Sequence, residues 1–504
     1  MSKKNTPDYW HKLGRLYHEQ GNAKAAEKAY LKALQMDDKL LRTINNLALL
    51  YLRAGRKKEA MALIAKGLDH AQKQWADEKK DSLAEEWALI LNSRCQLALD
   101  NDKFDEDRKW SKLVIKLQPM GAGLSNLSVA LAGMNSYEEA GRSQQLGLQR
   151  HGMNGPIHTW IGQKLASPYS STQLHTEICN LASSLLRNNP LRLDAWVLMT
   201  ARLGMEPKVW EGSILPWEKL WDGRYIDHLV IWDEQGYGDA MQCFRWIQEA
   251  CKRADRVTLL LRESLLELVK QRLSLPKYCD IKLQEASGFP KDINAQHCPM
   301  MALPIALSRA NAKHITIKSR AKARTVLKSN WTQKNKDRKN TENKKKKVGL
   351  VWAAAPKADR DAERSSRLRC IPGELLIERS IQWSDCWNLE LISLQLGSAS
   401  EVASKWVEYG RVMQLDAGGD WLSTAKLVEK LDLVVSVDTA MVHLAGNLGV
   451  PCILLLNYLY DWRWLNNGKL IPWYPSLKVL RTQKEACWDD LFLQLDSLIG
   501  EFLK

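Results

Sequence analysis

At 504 residues and 45% hydrophobic, the chain can bury several cores, so two to four domains are expected. No stretch approaches 18 uninterrupted apolar residues, which excludes a spanning helix, and ten cysteines without a C-x-x-C pair or zinc-like Cys/His spacing read as reduced thiols of a cytoplasmic protein. The net charge of +15 is concentrated: residues 313–347 carry 14 Lys/Arg against Asp337 and Glu342, leaving +3 elsewhere, the pattern of a solvated basic linker rather than of a specific nucleic-acid site.

The chain begins Met1-Ser-Lys-Lys-Asn-Thr-Pro-Asp8, with no apolar run behind the lysines, so no signal peptide is expected. Trp10-x-x-Leu13-Gly14-x-x-Tyr17 comes next, then Ala26, Tyr30 and Ala33. Small residues at these positions let two helices touch, and aromatics fill the groove between them. A shift of 34 residues gives Ile44, Leu47, Ala48, Tyr51, Ala60, Ile64 and Gly67. Weaker copies run from Ile90 through Leu97, Trp110 and Leu113, and from Leu124 through Leu127, Ser128, Leu131, Ala140 and Gly147. The step from Ile44 to Ile90 exceeds the period by about 12 residues, an insertion expected in the charged stretch 73–86. These features resemble the tetratricopeptide repeat and predict a helical solenoid over 1–151, which either binds a partner in its concave face or braces the domain behind it.

Residues 152–212 read as a helical transition, with an Asn188-Asn-Pro turn and Trp196-Val-Leu-Met. At His228-Leu-Val-Ile-Trp232 the pattern becomes that of a buried strand. It runs into Asp233-Glu-Gln-Gly-Tyr-Gly-Asp239 and a helical stretch from Ala240. Gly236 and Gly238 allow close approach of a ligand or a facing backbone, and Asp239 reads equally as a helix cap or a functional acid. Further strands are predicted at 257–261 and 279–283, and an extended segment at 297–304, closing a first α/β domain of 213–315. After the linker, 316–347, a second α/β domain, 348–504, has predicted strands at 348–352, 389–394, 412–415, 432–437, 450–456 and 479–480. Between the fourth and fifth of these, Asp438 and Thr439 stand at an N-cap position. Met441, Leu444, Ala445 and Leu448 then mark one helix face, and Gly449 and Pro451 end it. Such a turn is either an ordinary capped βαβ connection with a surface His443 or an anion site, with His443 one turn in and within reach of a phosphate. Two doubly wound domains would leave a ligand cleft between their strand ends.

Seven motifs come in a telling order: Glu234-Gln-Gly-Tyr-Gly-Asp-Ala-Met-Gln-Cys-Phe-Arg-Trp246, His297-Cys-Pro-Met-Met-Ala-Leu-Pro304, Val348-Gly-Leu-Val-Trp352, Ser393-Leu-Gln395, Ser436-Val-Asp-Thr-Ala-Met-Val-His-Leu-Ala-Gly446, Asp461-Trp-Arg-Trp-Leu465 and Trp473-Tyr-Pro-Ser476. They cover roughly residues 220–490 and, with the repeats, resemble bacterial tetratricopeptide-repeat glycosyltransferases, similar to glycosyltransferase family 9 (the heptosyltransferases) and more distantly to O-GlcNAc transferase. The resemblance implies a GT-B fold of two Rossmann-like domains. It also implies metal-independent, inverting transfer from a nucleotide sugar, without cofactor, to a protein or glycan acceptor selected through the repeat groove. On this likeness Asp239 falls where the heptosyltransferases carry the acidic residue proposed as base, with Asp233 and Glu234 next on the same turn. The donor set is then Gly236, Gly238, Lys357, Arg360, Gln395, Asp438, Thr439, Ala440 and His443, with Lys357 and Arg360 neutralising diphosphate or else lying in an exposed loop. Asp461-Trp-Arg-Trp464 either shapes the cleft or forms a packed corner. Ala353-Ala-Ala-Pro356 departs from the Gly-Asn-Pro type of turn expected of the family, which keeps a second reading open, a non-catalytic repeat scaffold with a degenerate GT-B domain. Weak contact with an anionic surface through the basic linker is the remaining expectation.

Overall fold

The computed structural model describes residues 6–77, 81–101, 103–119, 122–149, 153, 172–189, 192–201, 219–284, 294–309, 326–329, 345–354, 369–414, 420–458, 460–464, 473–483 and 487–503. The chain divides into two units, residues 1–156 with 176–184, and residues 157–175 with 185–504.

The first unit is helical. Helices Pro7–Glu19, Ala23–Met36, Leu41–Arg53, Lys57–Asp77, Asp81–Asp100, Phe104–Leu117, Gly123–Gly133 and Tyr137–Gln149 pack each against the next. The repeat positions make its core: Ala26, Tyr30, Ala33, Ile44, Leu47, Ala48, Ala60 and Ile64 are buried. Caps define the first pair, with the Thr6 hydroxyl accepting the Tyr9 N–H at 3.2 Å and Asn22 accepting that of Ala25 at 3.2 Å. The insertion lengthens two helices, Lys57–Asp77 and Asp81–Asp100, to 21 and 20 residues where their neighbours have 13 and 14. The residues supplied there, Lys, Glu, Asp, Gln and Ala, mostly favour helix, and pairs such as Lys73–Asp69 at i, i+4 support it.

The second unit holds two parallel sheets. The first joins β1 (Ile226–Trp232), β2 (Ala254–Leu261), β3 (Cys279–Leu283) and β4 (Gln296–Pro299) in the order β3-β2-β1-β4. The second joins β5 (Lys346–Val351), β6 (Leu389–Ser393), β7 (Met413–Gln414), β8 (Leu433–Val437), β9 (Cys452–Leu456) and β10 (Leu477–Arg481) in the order β10-β9-β8-β5-β6-β7. All five residues of β8 and of β9 are buried, as runs that are apolar but for Ser436 require of central parallel strands. Strand order reverses between β1 and β4 in one sheet and between β5 and β8 in the other. In open α/β sheets the crevice at the carboxyl ends of such strands is where ligands bind. Both candidate turns lie there: 233–239 follows β1, and 438–439 follows β8. The architecture is therefore helical repeats followed by two Rossmann-like sheets, as the sequence predicts.

Several strand ends shift by up to three residues, and three differences change the reading. The segment 297–304 is extended only to Pro299, then turns helical at Met300–Ala302 and Leu303–Arg309, because Pro304 occupies the first helical turn, where its missing N–H is not needed. Strand β5 starts at Lys346, inside the predicted linker. Of the remaining linker, 316–325 and 330–344 lie outside the described residues, but Val326 and Leu327 both donate to the Asn447 carbonyl at 3.0 Å and Leu327 is buried, so this piece is docked rather than solvated. Among the described residues no helix is long and apolar enough to cross a membrane.

Candidate functional site

The turn after β8 is built as predicted. Thr439 is the N-cap of helix Ala440–Leu448, with extended backbone (φ −139°, ψ 171°), and Gly449 ends the helix at φ +77°, where a Cβ would be strained. Its cap is left open. Among the described residues no side chain caps it; the Thr439 carbonyl accepts the Val442 N–H at 3.2 Å, and the Thr439 hydroxyl faces that of Ser436 at 3.2 Å. The Asp438 carbonyl accepts from Arg369 Nη2 at 2.6 Å, and the Asp438 carboxylate lies 3.9 Å from Arg369 Nε, a buried donor without a hydrogen-bond partner among the described residues. A cation and a helix N-terminus thus meet at one spot, a combination suited to an anion.

The turn after β1 is internally satisfied. Asp239 Oδ2 accepts the Gly236 N–H at 2.8 Å, capping helix Tyr237–Cys251, while Oδ1 pairs with Arg463 Nη2. Asp233 is buried and holds Arg262 through three bonds, at 3.1 Å from its N–H, 2.8 Å from Nε and 2.6 Å from Nη2. Glu234 Oε1 accepts the Met301 N–H at 3.2 Å. Neither alternative acid is free for solvent chemistry.

The two turns meet face to face. A Cβ at Gly238 would lie 2.7 Å from His443 Cδ2 and 3.5 Å from the Ala440 Cα, so only glycine permits this approach. Around it, Asn447 donates to the Met241 carbonyl at 2.8 Å and Arg245 to that of Trp473 at 2.6 Å. Arg272 forms a bidentate pair of hydrogen bonds with Glu429, 3.0 Å each. Trp196 packs edge-on against Trp246, Trp462 and Trp473, with centroids 6.0, 5.0 and 6.4 Å apart.

Arg463 is the centre of this junction. Besides Asp239 it reaches Gln242 Oε1 at 2.9 Å and Asp461 at 2.8 Å, over the ring of Trp462 at 4.3 Å. Burial alone would raise Asp461, but the charge and hydrogen bonds of Arg463 hold it below the usual carboxylate range. Burial pushes Asp438 up, against the pull of Arg369. His443 is pushed down to about 3, first by burial and then by Arg463 and Arg245. It is therefore neutral, stacked beside Trp464 at 5.1 Å, with Nδ1 sharing a 2.8 Å hydrogen bond with the Tyr474 hydroxyl.

The expected residues sort accordingly. Asp438, Thr439, Ala440, Gly236, Gly238, Asp239 and His443 come together at the junction. His443 is neither on the surface nor a cation for phosphate, because desolvation outweighs the benefit of charging it. Gln395 follows β6 and serves the backbone: its Oε1 accepts from Trp352 and Ala353 N–H at 3.1 and 2.9 Å, and its Nε2 donates to the Ala353 and Leu396 carbonyls at 3.1 Å each. That clamp holds Trp352 and Ala353, where the segment that departs from the family pattern begins; Ala355 and Pro356 lie outside the described residues. Lys357 and Arg360 lie outside the described residues. Arg369 was invisible in sequence, since nothing in its spacing points to Asp438, 69 residues away. Arg463 was visible as an Arg between tryptophans, but its partner Asp239 is 224 residues distant.

Two tetratricopeptide-repeat models match residues 7–40 and 40–69. The N-terminal helices are tetratricopeptide (TPR) repeats. Protein FlbA of Caulobacter vibrioides is 25% identical over 162 residues, 31% of this chain, and the matched part is a quarter of that protein's length. Among solved structures, the chain is similar to the E. coli ADP-heptose LPS heptosyltransferase II, at 11% identity and TM-score 0.38, over 55% of this chain and 98% of that one. The glycosyl transferase family 9 structure from Veillonella parvula gives 12% identity and TM-score 0.38 over 56% and 99%. For the TPR part, a thermophilic TPR protein of Thermus thermophilus gives 15% identity and TM-score 0.28 over 40% of this chain and 93% of that one.

Proposed function

We propose that the second unit is a nucleotide-sugar-dependent glycosyltransferase, inverting and metal-independent, and that the TPR repeats select its protein or glycan acceptor. One observation carries this reading: the uncapped turn at Asp438–Thr439, at the point of strand reversal, with Arg369 bearing on it. The seven ordered motifs support the reaction class. In this reading the Thr439 hydroxyl, the first N–H groups of helix Ala440–Leu448 and Arg369 meet the charge of the departing nucleoside diphosphate. Lys357 and Arg360 add to it, and cationic side chains take the place of a metal. Asp239, beside Arg463, removes the proton as the acceptor oxygen attacks the anomeric carbon.

A thermal-shift panel of UDP, GDP, ADP and CMP compounds on the full chain tests the reading, since a ligand at a hundredfold excess over its Kd stabilises by about 2.7 kcal/mol. Thr439→Val and Arg369→Gln should each weaken the nucleotide that binds by roughly ten- to a hundredfold, with the circular dichroism unchanged. Unchanged affinity in both variants overturns the donor site. With donor and acceptor in hand, Asp239→Asn should lower transfer by roughly 10²–10⁴ while nucleotide still binds, and transfer should survive a chelator.

The second reading is a non-catalytic TPR scaffold. It is favoured by Asp239, both of whose oxygens are already engaged, by Gly236 and by Arg463. Under it no nucleotide moves the melting temperature.

A further inference from the structure

Trp196 comes from the stretch that separates the repeats from the first sheet in sequence. It lies on the short helix Leu193–Met199, which belongs with the two sheets in the second unit, and it is fully buried. Its three indole neighbours, Trp462, Trp246 and Trp473, are at interplanar angles of 87°, 73° and 82°. Those three residues are also the ones that place Arg463. The Arg463 guanidinium lies over the Trp462 ring, and Trp473 Nε1 donates to the Arg463 carbonyl at 3.0 Å. Trp246 sits on helix Tyr237–Cys251, which carries both distant acceptors of Arg463, Asp239 and Gln242. The contacts of Arg463 thus divide by origin. Asp461 is two residues away and accepts the Arg463 N–H at 3.0 Å and Nη1 at 2.8 Å, a local contact that survives small movements. Asp239 and Gln242 belong to another element, so their contacts require that helix and the segment 461–464 to stand at a fixed separation. Trp196 touches both sides of it, Trp246 on one and Trp462 and Trp473 on the other. A smaller side chain leaves a void there, and a close-packed interior answers a void by shifting the elements around it.

We propose that Trp196 is a positioning residue for Asp239: by spacing helix Tyr237–Cys251 from Trp462 and Trp473, it holds Arg463 against the Asp239 carboxylate and so fixes where that carboxylate faces. An arginine side chain has many rotamers, and only fixed surroundings keep it in one geometry. Without the spacing Arg463 keeps Asp461 and loses Asp239, whose other oxygen stays with the Gly236 N–H. This role rests on the reading of Asp239 as the base. It makes the stretch after the repeats part of the transferase machinery rather than a spacer, although Trp196 itself touches no reacting atom.

The experiment is a double-mutant cycle on the full chain, read by unfolding in urea, with Trp196→Leu, Asp239→Asn and both together. Asparagine still caps a helix, so Asp239→Asn chiefly reports the lost charge facing Arg463. The two changes should couple by about fivefold or more in the unfolding constant, because in the leucine variant Asp239 has already lost Arg463. Trp196→Leu with Asp496→Asn, whose partners Arg379 and Trp383 lie on another helix, should combine within about twofold. A residue that only fills space combines within that limit in both cycles, and this result overturns the proposal. Trp196→Phe keeps an aromatic edge and must still couple to Asp239→Asn by more than about twofold, which decides the matter if the leucine variant does not fold. With donor and acceptor in hand, Trp196→Phe should lower kcat by roughly tenfold and leave the donor KM within about twofold, since a small misplacement of a catalytic group costs turnover rather than binding. Coupling in a parent chain that transfers no sugar supports the positioning and removes only the reading of Asp239 as the base. Transfer by the parent with an additive cycle removes only the positioning.

Discussion

The turn after β1 and the turn after β8 have the same topology, a buried parallel strand running into a helix at the reversal point of its sheet. They are finished differently. The first supplies its own acid, Asp239, to its own N–H group and gives the other oxygen to Arg463. The second places Thr439 at the N-cap with Asp438 before it, where the first has Gly236 and Gln235, yet neither side chain caps the helix, and an arginine reaches in from a distant segment. A helix N-terminus leaves N–H groups wanting an acceptor whatever the fold. Where the chain provides one, the turn is structure. Where it does not, an anion can take the place.

The comparison is most strongly tested by acid. His443, on the second turn's helix, is held neutral with a value near 3 against about 6.5 when unfolded. Its folded value is depressed, so the unfolded chain binds the proton first, and the stabilising contribution present above pH 6.5 is lost as pH falls toward 3. Unfolding monitored by urea should lose roughly 3 kcal/mol between pH 6.5 and 4 on account of this group. His443→Gln should remove that part of the slope. An unaltered slope in the variant would show that the histidine is already solvated.

Next in size is Arg463. Arg463→Met leaves Asp239 and Asp461 without their partner in a largely buried setting, and a cost of about 2–3 kcal/mol in urea denaturation is expected, below that of a fully buried pair because both carboxylates keep some solvent. The two glycines come third. Gly238→Ala puts a Cβ against the His443 ring and should cost about 1–3 kcal/mol, whereas Gly236→Ala meets only Asp239 Oδ2, at 3.0 Å, and should cost under about 1 kcal/mol. Equal losses would mean the turns do not meet. The smallest effect is at Thr439. Thr439→Val removes no cap and should alter stability by less than about 0.5 kcal/mol, while Asp239→Ala, which removes one, should lose about 1 kcal/mol or more by the same measurement.

Local chemistry made much of this legible in advance. The 34-residue period placed the TPR helices, because each repeat buries the same small and aromatic residues in the same groove. The strand pattern at 432–437, the capping position and Gly449 marked β8, its turn and its helix within a residue, since strand burial, capping and left-handed termination are all local properties. The charged insertion was legible by its length but not by its form: its residues favour helix and simply extend the helices they join.

What sequence alone determined is therefore the order and type of the elements and the place of the two turns, one bearing glycines and one with Asp438 and Thr439 at a capping position. Only the tertiary structure decided what those turns are made of. Asp239 lies 224 residues from Arg463 and Asp438 lies 69 from Arg369, so their pairing arises from strand order and not from spacing. The same holds for His443, whose position in a helix was plain, but whose neutrality comes from Tyr474, Trp464 and the arginines that fold around it. Charge and burial are sums over every neighbour a group acquires, and most of those neighbours come from elsewhere in the chain.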